Sequence, residues 1–273
     1  MPRDAGLASL LHLVETDVAI LRHAHYQPGA SISSHRHDRA SLVYGVGGPC
    51  FERNALGPLA RRRLTFLPDG HEHALEHRGA AHVLAIEIAP KWLLQACGGH
   101  IPDQILPLPA TLYDLVWDVM LNVVGRAPPA ALNASLLALV QAAVDFARKS
   151  PSPLVIALME ELHVHWKDVP SVARLAQKYS LSAQYICRVF KRTTGIAMQQ
   201  YGLLVRLDHA RALLWGSDLP IADVAAETGF ADQSHLTRAL AEHSARTPLR
   251  LRSAAPCRKS IHPAAYFALA LER

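Results

Sequence analysis

Two related segments constrain this chain more than any other feature: VARLAQKYSLSAQYICRVF at residues 172–190 and IADVAAETGFADQSHLTRAL at residues 221–240. Val172 aligns with Ile221 and Ala176 with Ala225 at an offset of 49, while Ile186 aligns with Leu236, Arg188 with Arg238 and Phe190 with Leu240 at 50. The second copy therefore carries one extra residue in its turn. Each copy reads as a short helix, a turn and a second helix, the sequence form of a helix-turn-helix. Ala176 and Ala225 are small enough for two helices to cross closely there.

The second helix of each unit has a start signal. Ser182 and Asp232 can accept hydrogen bonds from the otherwise unpaired first N–H groups, and Gly195 can take the left-handed conformation that ends the first of these helices. In one helix Ile186, Val189 and Phe190 fall on a single side, which turns Gln184, Cys187, Arg188 and Lys191 outward. In the other, Leu236, Ala239 and Leu240 turn inward and leave Gln233, Ser234, Thr237 and Arg238 toward the outside. Amides, hydroxyls and an arginine on an exposed helix suit the edges of bases in a DNA major groove, where arginine can bond guanine and glutamine adenine. The stretch between the units, MQQYGLLVRLDHARALLWG, places Leu203, Leu207, Ala210 and Leu214 at helical spacing. Nineteen residues of helix make a rod of roughly 28 Å, commensurate with the roughly 34 Å between successive major grooves. Two helical hairpins packing for purely structural reasons are the plain alternative.

These motifs, with RLDHARALL and RTPLRLR, resemble the DNA-binding domain of the AraC/XylS family of bacterial transcription regulators over residues 153–252. The resemblance implies two recognition helices in adjacent major grooves, with Gln184, Cys187, Arg188, Lys191, Gln233, Ser234, His235, Thr237 and Arg238 as base or phosphate contacts. It also implies activation in preference to repression, RNA polymerase as a partner and a homodimer. The departures lie at the end: the family usually has an aromatic at Leu240, a basic residue at Ala241, an aromatic at Ser244, glycine at Ala245 and an aromatic at Leu251. A looser second unit would follow.

Charge agrees with this division. Residues 1–152 hold 13 Lys+Arg and 13 Asp+Glu, whereas residues 153–252 hold 12 and 9, so the net +5 sits mainly in the second half. A mildly basic domain is compatible with phosphate binding, and equally with solvated charge alone. At 273 residues, half of them apolar, the chain is long enough for two domains with their own cores. Cys50, Cys97, Cys187 and Cys257 are scattered singly, which favours a reducing cytosol over disulfides or a zinc finger. The first twenty residues lack the pattern of a secretion signal, and no run of about eighteen uncharged apolar residues is read. The expectation is a cytoplasmic protein with no membrane partner.

The front of the chain reads differently. SLVYGVGG, RRLTFLP and HVLAIEIAP are short apolar runs closed by Gly or Pro, and in the last of them Val83, Ala85 and Glu87 alternate with Leu84, Ile86 and Ile88. This is a mostly β domain, expected at residues 1–105. At residues 106–152 the period becomes helical: Leu112, Val116, Val119 and Val123 form one stripe and Leu132, Leu136, Leu139 and Ala143 another. These connecting helices either pack on the β domain or form a dimer seam. SPSP at 150–153 is the linker to residues 153–252, and 253–273 form a tail.

Ten of the sixteen histidines lie in the first hundred residues. His35 and His37 share one face of a strand, and His71, His73 and His77 follow a turn. PGASISSHRHD followed by FLPDGHEH is similar to the paired metal motifs of cupin barrels, with Pro68, Gly70 and His73 matching the second motif. The glutamate of the first motif, due near Ser41 or Leu42, is absent. The resemblance implies a cupin-like sensor in which His35, His37 and His73 hold a divalent transition metal, with His77 or Glu87 as fourth ligand. Histidines acting as ordinary hydrogen-bonding groups in a pocket for an unknown small-molecule effector are the alternative. Arg61 to Arg63 suit an anion or, more plainly, a solvated turn.

Together these readings give an α+β chain: a cupin-like β-barrel or sandwich, connecting helices, and an all-α double helix-turn-helix domain. The expected function is sequence-specific regulation of transcription by a barrel-bound ligand or metal, without catalysis. A cupin metalloenzyme with a helical appendage and a non-specific nucleoid protein are the competing classes.

Overall fold

A computed structural model describes residues 7–48, 50–54, 57–60, 64–98, 102–244 and 246–255, with only the backbone for 51–54 and 57–60. The arginine run at 61–63, Cys257 and the tail beyond residue 255 lie outside the described residues. The front domain holds two antiparallel sheets. The larger has the order β1 (Ala8–Glu15), β2 (Ala19–Tyr26), β9 (Ala81–Ile88), β4 (Ser41–Gly47), β7 (Leu64–Leu67) and β10 (Leu106–Pro107). The smaller runs β3 (Ser31–Arg36), β8 (Glu72–His77), β5 (Cys50–Asn54) and β6 (Gly57–Ala60). Strand β10 pairs with β7, so the sheet is completed just beyond residue 105.

The alternation of β9 divides the large sheet into two working faces. Val43, Leu67 and Val83, with Tyr26, Ala85 and Ile105, form a small apolar cluster on the face toward the second sheet, where the Tyr26 and His77 rings stack 4.2 Å apart. Leu21, Leu42, Tyr44, Leu84 and Ile86 point the other way and join the principal core with the helices. A period of two lets one strand serve both faces.

Helix α1 (Pro90–Cys97) follows β9, and a single 3-10 turn at Ala110–Leu112 leads into α2 (Tyr113–Val124) and α3 (Pro129–Arg148). Leu112, Val116, Val119, Val123, Leu132, Leu136, Leu139 and Ala143 are all buried, so both stripes pack within this chain. Helix α3 is long and apolar enough to cross a membrane by length and composition alone, although Asn133, Ser135, Gln141 and Asp145 interrupt its apolar run. Its Leu136 and Val140 side is buried in the core and its Gln141 and Asp145 side is exposed, so the helix packs by one face.

The remaining helices are α4 (Pro153–Val164), α5 (Val172–Tyr179), α6 (Ala183–Thr194), α7 (Met198–Gly216), α8 (Ile221–Glu227), α9 (Gln233–Ser244) and α10 (Pro248–Ser253). They form two units, α5–α6 and α8–α9, on either side of α7. Leu240 and Leu251 are buried even though neither is aromatic, so both positions are filled from this chain's own core.

Candidate nucleic-acid interface and histidine site

Helix α6 begins where Ser182 caps it: the Ser182 hydroxyl accepts from the Tyr185 N–H at 3.2 Å, and Gly195, with φ of 86°, closes it. Its apolar side is spent on Ile186, Val189 and Phe190, all buried. Gln184, Cys187, Arg188 and Lys191 are exposed. The Arg188 guanidinium stands 5.8 Å from the centre of the Tyr185 ring, a cation–π contact that restrains the arginine while leaving its donors outward. Tyr185 is itself exposed and was not singled out by the sequence pattern.

Helix α9 repeats the arrangement. Asp232 accepts from the His235 N–H at 2.7 Å, and Leu236, Ala239 and Leu240 are buried. Gln233, Ser234, His235 and Arg238 are exposed, and Thr237 is partly covered. Thr237 donates its hydroxyl to the Gln233 carbonyl at 2.8 Å, which leaves its oxygen lone pairs outward. The His235 ring folds back: Nδ1 accepts from the Ala231 N–H at 3.4 Å and the ring meets Phe230 edge-on. Gly229, at φ 75°, makes the turn for which the first unit uses Ser180 at φ 55°.

Between these units α7 is buried almost all round, from Val205 through Gly216 apart from a partly covered Arg206. Arg206 donates to the Gly229 carbonyl at 3.2 Å and lies over Phe230, fixing the second unit's turn; burial lowers its pKa from the ordinary arginine value. The front domain covers one side of α7. Asp208 accepts from the Tyr44 hydroxyl of β4 and from the Trp117 indole of α2, the latter at 2.9 Å. Arg211 pairs with Asp114, and Arg246 with Asp118. Burial raises the Asp114 pKa, with Arg211 opposing it. None of these junction residues is flagged by local sequence pattern, because each partner lies ninety or more residues away.

Within the barrel, His35 and His73 face one another across β3 and β8, and His37 is two residues along. One nitrogen of each of His35, His37 and His73 lies within 4.8 Å of the others. His35 Nδ1 is 3.0 Å from the Ser33 carbonyl, so that nitrogen donates and Nε2 is the one that could bind a metal. Three imidazoles so placed match the donor set of a divalent transition metal. Glu87 contacts Arg22 and sits 3.5 Å from His37 Nδ1, and its pKa is lowered to about 2, chiefly by the His37 hydrogen bond and then by Arg22. It orients His37 and is not part of the trio. His77 is also apart: it stacks on Tyr26, with Nε2 3.8 Å from the Cys50 sulfur. His71 stacks on His73 at the rim.

A second histidine group went unnoticed in the sequence. His12, His23, His25 and His82 lie on adjacent strands β1, β2 and β9, on the face away from the trio, and His23 and His82 touch Trp215 of α7. Its only local sign is the HxH at 23–25.

Comparison with known proteins bears on the C-terminal part. Residues 175–254 match the family described as a helix-turn-helix domain. The chain is 33% identical over 78 residues to the uncharacterized HTH-type transcriptional regulator YijO of Escherichia coli K12, covering 29% of this chain and 28% of that protein. It is 33% identical over 84 residues to the HTH-type transcriptional activator RhaS of Escherichia coli O139:H28, covering 31% and 29%. A solved transcriptional regulator from Chromobacterium violaceum, with an AraC-type DNA-binding domain, aligns at 23% identity and TM-score 0.36 over 39% of this chain and 94% of that one. The chain thus spans about a third or less of the length of the curated relatives it matches.

Proposed function

We infer that this chain, whose residues 175–254 are a helix-turn-helix domain of the AraC type, is a sequence-specific DNA-binding transcription regulator. The observation that carries the reading is a pair of capped helices, α6 and α9, each with a buried apolar side and an exposed polar side, joined by the single rod of α7. Any surface helix keeps a polar side in solvent; what favours recognition is that both second helices offer amides and an arginine, Gln184 and Arg188 in one and Gln233 and Arg238 in the other. Arg188 and Arg238 act as the principal base readers, Gln184, Gln233 and Ser234 as amide and hydroxyl contacts, and Lys191, Cys187, His235 and Thr237 flank them.

The front domain is the sensor. His35, His37 and His73 hold a divalent transition metal, which either is the signal or binds a small-molecule effector, and Glu87 positions His37. The protein acts in the cytoplasm as an activator, as a homodimer contacting RNA polymerase, and not as an enzyme.

Selection of bound sequences from random duplex DNA tests the reading. An enriched site with two elements about one helical turn apart is the expected result. Arg188→Ala should blur one element and Arg238→Ala the other. Equal binding to all sequences with steep salt dependence would establish a non-specific binder instead. For the sensor, the full chain should bind one zinc or nickel ion per copy and His73→Ala should bind none. Turnover of a substrate by the metal-loaded barrel would favour the enzyme alternative.

A further inference from the structure

Where α3 ends, the chain meets the last turns of α6 across an open cleft of about 290 Å³ lined by Lys149, Ser150, Ser152, Val189, Arg192 and Thr193. No acidic residue is among them, so the two formal charges of the lining are both positive. Lys149 and Arg192 are exposed, whereas Val189 and Thr193 are buried. Lys149 Nζ donates to the Thr193 carbonyl at 3.3 Å, which holds the ammonium beside the last turn of α6, and it has two further N–H donors. The Ser152 hydroxyl accepts from the Val155 N–H at 3.5 Å, so its own O–H can donate. Ser150 holds φ of 45°, in the left-handed region that a side chain disfavours. Strained residues of this kind cluster at ligand clamps.

We propose that this cleft grips one phosphate of the DNA backbone beside the groove that α6 reads, so that the end of α3 and the flank of α6 hold the same anion. Arg192 follows Arg188 by four residues, one turn along the same side of α6, and Val189 and Thr193 lie further round. The cleft therefore borders the reading side without using Gln184, Cys187 or Lys191. A helix with its side chains is about 10–12 Å across and the major groove is about 12 Å wide, so the flank of a reading helix meets the phosphates that border the groove. The donors suit that group: a guanidinium fork, an ammonium and two hydroxyls against anionic, acceptor-only oxygens. Such contacts fix a protein on the duplex without reading its sequence.

A phosphate shared in this way ties the front domain to the duplex. Helix α3 buries Leu136, Leu139 and Val140 in the principal core, and Lys149 directly follows its last residue, Arg148. A shift of α3 against α6 would draw the ammonium off the shared phosphate and weaken DNA binding with every base contact left in place. The choice of a DNA phosphate rests on the regulator reading, whereas the preference of the cleft for an anion does not.

The salt dependence of duplex binding by the full chain tests the contact, since each neutralised phosphate contributes about 0.9 to the slope of log affinity against log salt. The Lys149→Gln, Arg192→Gln double variant, changed only at exposed side chains, should lower that slope by about 1 and weaken binding to matched and mismatched duplexes alike. Lys149→Arg with Arg192→Lys keeps both cations and should restore the native slope. An unchanged slope in the glutamine variant overturns the proposal, as does a slope that the charge-keeping variant fails to restore. Titration with inorganic phosphate, read by calorimetry, identifies the source of the anion. If the full chain binds it saturably and the glutamine variant loses that binding while keeping a native DNA slope, the cleft serves a free phosphate compound and the DNA assignment falls. An unchanged slope beside an intact selected site removes the cleft and leaves the regulator reading standing. A lowered slope on mixed duplexes with no selected site does the reverse.

Discussion

Ser180 and Gly229 do the same work with different chemistry. Both turn a helix-turn-helix through the left-handed region, Ser180 at φ 55° and Gly229 at φ 75°. A side chain pays about 1–2 kcal/mol for that conformation and glycine does not. A Cβ at Gly229 would meet only Arg206, at ordinary contact distance of 3.6 Å, so backbone strain alone sets its cost. Gly229→Ala should lower stability by about 1 kcal/mol and Ser180→Gly should be neutral or stabilising, since relief of strain opposes added chain entropy. Urea midpoints at constant slope measure both. Arg188 differs in kind. Exposed, and braced among the described residues by Tyr185, its replacement by alanine should leave stability within about 0.5 kcal/mol. The same change should erase about 1–3 kcal/mol of discrimination at one base pair, read by competition between matched and mismatched duplexes.

At the scale of elements, the helix-turn-helix units were legible because their determinants are local. Ser182, Asp232 and Gly195 act within four residues of the groups they satisfy, and Ile186, Phe190, Leu236 and Leu240 repeat at helical spacing. The caps yield a prediction: Asp232→Ala removes the acceptor for the His235 N–H and should cost about 1 kcal/mol, fraying α9 first, visible as faster amide exchange in its opening turn. The barrel was less legible. Strand β9 declared itself by alternation, yet Ala19–Tyr26 escaped notice as a strand, because Arg22, Ala24 and Tyr26 face the second sheet while Leu21 and His23 face the helices. The trio emerged from motif spacing, but the role of Glu87 did not. Its partnership with Arg22 and His37 depends on strands β2, β3 and β9 coming together, and no residue separation encodes that.

At the scale of the whole molecule the large sheet is shared property: Glu87 and Val43 face the barrel interior, Tyr44 and His82 face α7, and one strand thickness separates the barrel interior from α7. The sequence divided naturally at SPSP, which hid this junction, since Tyr44 and Asp208 are 164 residues apart. A polar cluster at such a seam is costly to break from one side. Asp208→Ala would remove the acceptor that the Tyr44 hydroxyl and the Trp117 N–H share in the buried seam, at a cost of about 1–3 kcal/mol. Asp208→Asn keeps an acceptor oxygen and should recover much of that loss. Because the damage falls between domains, the alanine variant should unfold in two steps, with barrel and helix-turn-helix units separating, where the native chain unfolds in one. Calorimetry on the full chain distinguishes the outcomes, and a single transition in both proteins, with unchanged midpoint, would mean that Asp208 does not couple the halves.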